Sequence, residues 1–418
     1  MSSTLGALIG LALAIFLIIK KLSPAYSIII GAVVGGLAGG LGLTATVDSM
    51  VSGVKDITPA ILRILSAGIL SGVLIKTGAA ASISHTIVRR LGERRVYMAL
   101  ALSTMLLTAV GVFVDVAVIT VAPIALMIGD KLELPKAKLL LAMIGGGKCG
   151  NIISPNPNTI IVAENFDASL PSVMFANVLP ALLGIVVTVY LIVPLMRVPK
   201  NESTHRMTNE EIETEHLPSF WASIAGPLVA IALLALRPLF GIVVDPLIAL
   251  PVGGLVDLLT TRNMKNATGC IAYGLDKMSV VAVLLVGTGT IAGIIKASDL
   301  TQNIIGLLSG WSAGGTLMAP LAGALMSAAT ASTTAGATIA SASFSNSILG
   351  AGVTAVWGAA MVNSGATMLD HLPHGSFFHA TGGSVGMDFK ARMRLIPYET
   401  AIGTILATGS VVCYLIFN

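Results

Sequence analysis

Long apolar runs separated by short polar connectors recur from one end of the chain to the other. They lack the strict alternation of strands, and most reach the length needed to cross a hydrocarbon core of about 30 Å, so they predict membrane helices. The expected spans are 4–19, 25–43, 59–77, 96–112, 115–129, 137–162, 173–196, 219–237, 241–260, 278–296, 314–342, 346–368 and 396–417. Three of them, 137–162, 314–342 and 346–368, carry polar or helix-breaking residues inside the apolar run. Such a broken segment can fold back as a re-entrant hairpin, which leaves the number of crossings open. One clearly hydrophilic connector, Arg197 to Leu217, divides the chain nearly in half. It is read as a cytoplasmic linker (198–217) between a first repeat (1–197) and a second (218–418).

The deepest interruption lies in span 137–162, where Gly145 to Thr159 reads GGGKCGNIISPNPNT. Pro155 and Pro157 donate no backbone hydrogen bond and bias Ser154 and Asn156 away from helix. The helix is therefore expected to break at membrane depth, which is tolerated only where protein buries the chain or it lines a wet cavity. In carriers, that is where substrate binds. Span 346–368 leads into a second interruption, Asn363 to Gly375, reading NSGATMLDHLPHG. Asn151 and Asn363 hold matching places in the two halves, and Gly68-x3-Gly72 with Lys76 is matched by Gly289-x3-Gly293 with Lys296.

Composition turns this pattern into a class. The chain is 55% hydrophobic and 11% charged, with a mean hydropathy of +0.91, against about 25% charge in soluble proteins. The fold expected is an all-α polytopic membrane protein. The net charge of +4 sits mostly in connectors and bears on orientation, not on nucleic acid. Lys20-Lys21, Arg89 to Arg95, Lys131 to Lys138 and Arg197 to Arg206 can all face the cytoplasm if the N-terminus is outside and 96–129 runs there and back. In the second half the basic clusters move to Arg262-Lys265 and to Lys390, Arg392 and Arg394. Basic connectors in one half face neutral ones in the other, so the repeats are expected to be inverted, with both termini outside. Leu5 to Ile19, ending at Lys20-Lys21, is read as a retained first span rather than a signal peptide.

Candidate chemistry lies in the interruptions. Asn151, Ser154, Asn156, Asn158 and Thr159 offer amides and hydroxyls, which suit a hydroxylated or carboxylated solute. Lys148 would add a positive charge. In the second half, the matching break offers Asn363 and Ser364, and Asp370, His371 and His374 are candidates for a proton relay. Ser332 and Thr333, in the stretch ATASTTAGAT, correspond by position to the surroundings of Asp115. That carboxylate stands alone in an apolar run, where it costs about 2.5–3.5 kcal/mol on insertion scales. It is read as a coupling-ion site or as the hidden partner of Lys148. Arg63 and Arg237 are read as interfacial anchors, Asp257 as interfacial and His379 as without function. Several chemistries are missing. Gly145 to Gly150 has Cys149 where a phosphate loop needs Ser or Thr, and there is no HExxH, CxxC or nucleophile elbow. No metal, cofactor or enzyme activity is expected, and uphill transport would draw on an ion gradient.

GGGKCGNIISPNPNTIIVAENF resembles the signature of the gluconate permease family of proton symporters, within a wider superfamily of organic-acid carriers. NSGATMLDHLPHG resembles the second-half motif of the same carriers. The resemblance runs over essentially the whole chain. It implies two inverted repeats, each with a scaffold part and a transport part with re-entrant hairpins, assembled as a homodimer that works by an elevator-like shift. It also implies that Asn151, Ser154, Asn156 and Asn158 contact substrate, with Asn363 and Ser364 opposite. The reading that follows is a bacterial inner-membrane importer of a small organic acid anion, such as a sugar acid or another hydroxy acid, driven by protons. Sodium symport or cation antiport is the alternative, and a channel or an intramembrane enzyme is less favoured.

Overall fold

A computed structural model describes residues 4–198, 217–300, 302–303, 314–373 and 375–418. Every regular element among the described residues is a helix, with no strand. The first half comprises α1 (Thr4–Ile19), α2 (Pro24–Ala38), α3 (Leu43–Lys76), α4 (Ala79–Leu91), α5 (Val96–Ala109), α6 (Val114–Lys131), α7 (Lys136–Asn151), α8 (Pro157–Asn165) and α9 (Leu170–Leu195). The second comprises α10 (Phe220–Phe240), α11 (Pro246–Thr260), α12 (Ala267–Lys296), α13 (Gly314–Thr330), α14 (Thr333–Gly350), α15 (Ala355–Gly365), α16 (Ser376–Ser384) and α17 (Ile396–Phe417). The expected linker 198–217 lies largely outside the described residues.

Several spans differ from expectation. α3 begins at Leu43, well before residue 59, because Pro59 sits inside the helix instead of opening it. Its 34 residues make a rod of about 50 Å, so it is tilted or extends beyond the lipid. α12 likewise starts at Ala267, with Asp276 and Lys277 inside it. Run 314–342 is a hairpin of α13 and α14 turning at Ala331, whose φ is +48°. Run 96–129 is a second such hairpin, α5 and α6, turning through Gly111 at φ +106°.

The two long helices α3 and α12 cross in contact, and glycines make this possible. Gly53 lies against Gly289 and Gly293, and Gly68 and Gly72 lie against Gly274. A methyl group on any of these would overlap backbone of the opposite helix. Early residues of α3 meet late residues of α12, so the helices run antiparallel. They hold the same place in the two element orders, so the second repeat is upside down relative to the first. The paired glycines of the sequence, Gly68 to Gly72 and Gly289 to Gly293, occupy equivalent places in the crossing.

Around this crossing, α1 packs on α2 through Gly6, Gly10, Gly31 and Gly35, and α10 packs on α11 through Gly226 and Gly253. These six helices form a frame, the expected scaffold part. The hairpins and the interrupted helices form a second unit, the expected transport part, with α9 and α17 packed along it. Gly145 to Gly147 belong to unbroken α7. A Cβ on Gly146 would collide with Ala101 of α5, so these glycines serve close packing and the break comes later, at residues 152–156.

Two charges read as interfacial have partners inside the protein. Arg63 bonds Asp245 and Glu164, and Asp257 is fully buried in α11, accepting from Thr77 Oγ1 at 3.3 Å. Arg392, read as a cytoplasmic loop charge, is 1% exposed and ion-paired with the buried Glu399. It also stacks on Phe378 at 4.8 Å and so ties α16 to the foot of α17. The side chain of Arg237 lies outside the described residues.

Candidate functional site

α7 ends at Asn151, and α8 restarts at Pro157 with Asn156 as its cap. Asn156 Oδ1 accepts from the Thr159 amide (3.1 Å) and hydroxyl (3.0 Å), while its Nδ2 donates to the Asn151 carbonyl at 2.8 Å. The two prolines hold the extended link, and the asparagines supply the hydrogen bonds that the broken helix lacks. The second repeat breaks alongside. Asn158 Nδ2 donates to Asn363 Oδ1 at 2.7 Å, and Asn363 Nδ2 donates to Thr159 Oγ1 at 3.1 Å. The two interruptions, remote in sequence, thus share one buried knot of amides. Asn177 on α9 braces it, donating to the carbonyls of Ile152 (3.5 Å) and Ala360 (3.2 Å). That residue escaped the sequence reading, although a lone asparagine in an apolar run needs partners of this kind.

A charged cluster lies beside the knot. Lys148 Nζ, fully buried, donates to Thr367 O (2.6 Å) and Asp370 Oδ1 (2.6 Å) and lies 3.0 Å from His371 Nδ1. Lys148 therefore pairs with Asp370 of the second repeat and not with Asp115. Thr333 Oγ1, at the tip of the α13–α14 hairpin, donates to Asp370 Oδ2 at 2.5 Å. His371 Nε2 faces the Ile396 carbonyl at 3.1 Å. The same Nε2 lies 3.1 Å from Thr400 Oγ1, and Nδ1 lies 3.1 Å from Asp370 Oδ1. His374 lies outside the described residues. His379 caps a turn, its Nε2 lying 2.9 Å from Pro373 O.

In front of the cluster opens a cavity of about 710 Å³, within the range of about 300–1,000 Å³ usual for small-molecule sites. Asn151, Asp115, Ser332, Thr333, Asp370 and Lys277 are among its lining residues. Both hairpin tips contribute, so the N-termini of α6 and α14 border the same space. Helix N-termini carry partial positive charge and unpaired amides, which favour an anion. Asp115 Oδ1 accepts from the Val116 amide at 2.9 Å, and no ion pair reaches it among the described residues.

The remaining candidates sit away from this space. Asn156, Asn158, Thr159 and Asn363 are buried in the knot behind the cavity wall. Ser154 is buried, with its Oγ lacking a partner among the described residues. Ser364 Oγ bonds back to Met361 O at 3.2 Å. Ser332, at the cavity itself, also caps α14, its Oγ accepting from the Ala335 amide at 3.3 Å.

Comparison with known proteins gives this architecture a family. The family model described as GntP family permease matches residues 3–418. The chain belongs to that family. It is 53% identical to an uncharacterized transporter of Haemophilus influenzae over 100% of this chain and 99% of the relative. It is 24% identical to the Gnt-II system L-idonate transporter of Escherichia coli K12 over 78% of this chain and 80% of that one. Among solved structures, the YdaH transporter of Alcanivorax borkumensis, described as having an unusual topology, superposes with a TM-score of 0.63. That match covers 90% of this chain and 88% of the other at 13% identity, a likeness of fold. This GntP-family chain is thus a membrane permease, with four helices among the described residues long and apolar enough to cross a bilayer: Leu43–Lys76, Leu170–Leu195, Met264–Lys296 and Phe389–Phe417.

Proposed function

We propose that the protein imports a small hydroxylated organic acid, of the gluconate or idonate kind, by proton symport across the bacterial inner membrane. One observation carries the reading: the N-termini of α6 and α14, from oppositely oriented repeats, border a single cavity. Their dipoles favour the carboxylate. The hydroxyls of Ser332 and Thr333 and the amide of Asn151 suit the hydroxyls of a sugar acid. Asp115 faces the same space, so an arriving anion and this carboxylate would repel each other. A proton taken up with the anion removes the repulsion and lowers the cost of carrying charge past the lipid. The buried Lys148–Asp370–His371 cluster holds the two interruptions in register behind the cavity.

Movement is an elevator-like shift of the second unit against the frame, within a homodimer. The inverted repeats support alternating access. Arg262 and Lys265, before α12, fall on the same face as Arg89 to Arg95, beyond the end of α3. The positive-inside rule makes that face cytoplasmic, with both termini outside.

The test is uptake of labelled gluconate, idonate and glycerate by proteoliposomes with an imposed pH gradient. Accumulation that collapses with a protonophore and persists when choline replaces sodium supports proton symport. Accumulation that needs sodium at fixed pH overturns the choice of ion. Equilibration without accumulation overturns active transport.

A further inference from the structure

Arg63 joins the two units of the fold. It stands on α3 in the frame, and its guanidinium grips Asp245 at the start of α11, Nη2 to Oδ2 at 2.8 Å and Nε to Oδ1 at 3.2 Å. The same guanidinium donates to Glu164 at the end of α8, in the other unit. The side chains of Arg63 and Glu164 are 28% and 23% exposed, so the pair is partly sheltered from water but not sealed. They line a second cavity of about 200 Å³ together with Asp167, Leu234 and Val244.

The inverted repeats give this pair its meaning. The large cavity is bordered by the start of α2, at Ser23 and Pro24, and by α12 at Lys277 to Leu284. The equivalent parts of the other repeat are the start of α11, at Asp245 and Pro246, and the middle of α3 around Arg63. These border the small cavity. The frame therefore has two equivalent edges in two different states. At one edge the second unit stands back and leaves room for a solute. At the other, α8 closes in and Glu164 meets Arg63. When a carrier of this symmetry alternates, equivalent edges exchange surroundings, and Glu164 must then leave Arg63.

We infer that the Arg63–Glu164 ion pair is a latch that positions the second unit in the state seen here, with Asp245 holding Arg63 ready to receive Glu164. It rests on the alternating-access reading above. A partly exposed pair of this kind biases a two-state equilibrium by about fivefold. That is enough to set a resting state and weak enough to break on each cycle.

The experiment needs no substrate. Ser376, exposed at the start of α16, borders the large cavity. Ser376→Cys is made in the full chain, reconstituted, and labelled with a membrane-impermeant maleimide. Adding Glu164→Gln is expected to lower the open share from about five-sixths to about one-half and so to slow labelling about 1.7-fold, and Glu164→Asp, which keeps the charge, to restore most of the rate. Labelling at an unchanged or faster rate in Glu164→Gln overturns the latch. Should Glu164→Gln lose its melting transition, Arg63→Gln is read in the same assay against the same two outcomes. Failure here is separable from failure of the transport reading. A carrier without a latch still takes up its acid while labelling stays unchanged. A latched protein that carries no acid shows the labelling shift without uptake.

Discussion

Lys148, a candidate for substrate charge or proton coupling by sequence, is placed as a tie between the repeats. Its ammonium is fully buried, where an unpaired charge is costly, and it meets a carboxylate, a carbonyl and an imidazole from the other repeat. Lys148→Met leaves Asp370 buried with its main counter-charge gone, a loss of about 3–5 kcal/mol. Asp370→Asn strands the lysine in the same way. The double substitution is expected to cost clearly less than the sum of the two, because no lone charge remains. Thermal unfolding of the four proteins in one detergent measures this. Asparagines divide by position. Asn363→Ala strips the knot of a donor and an acceptor, and is expected to cost about 1–3 kcal/mol and to abolish uptake. Asn151→Ala, at the cavity wall, is expected to lower uptake at least as strongly as it lowers the melting temperature. Uptake of labelled acid at the parental rate by either variant removes that residue from the site.

Helices and their breaks were legible to different degrees. Both interruptions could be placed from sequence because proline chemistry and clustered asparagines act locally. Their meeting through Asn158 and Asn363 was expected from the repeat and from the family resemblance, not from any local pattern. The glycines misled in one place: Gly145 to Gly147 read as part of the break, yet they let α7 lie on α5. Glycine promotes both outcomes, and only the partner helix decides between them. The same limit hid Arg63, whose acidic partners lie 101 and 182 residues away and leave no local trace, whereas Glu399, the partner of Arg392, lies only 7 residues on. For the same reason the sequence left Asp115 as one candidate partner of Lys148 and did not single out Asp370. The contrast among glycines is testable. Gly146→Ala drives a methyl group into the α5 backbone and is expected to cost about 1–3 kcal/mol. Gly383→Ala meets nothing within 4 Å and is expected to stay within about 0.5 kcal/mol of the parent. Melting temperatures of the two variants check the difference.

At the scale of the molecule, composition and connector charge indicated a membrane protein of two opposed halves, and the antiparallel crossing of α3 with α12 is the physical form of that opposition. The small residues along this crossing leave little room for adjustment, which supports the proposal that the second unit moves against this frame. Cys149, Cys270 and Cys413 are all buried, two of them in packed seams, Cys149 against Gly184 and Cys270 against Gly72. The folded protein is therefore expected to resist a bulky maleimide until it is denatured, as mass spectrometry before and after unfolding will show. Rapid modification of the native protein would mean that these seams open. It would also remove the silent background that single-cysteine labelling requires.

The seam between α3 and α12 joins the halves without help from the stretch connecting them, since all of its glycine contacts lie within residues 49–293 on helices that flank that stretch. A chain severed between residues 198 and 217 keeps every one of those contacts. Two fragments made separately in one cell should accordingly find each other in the bilayer and co-purify through a tag carried by only one of them. Gly274→Leu in the second fragment should keep them apart.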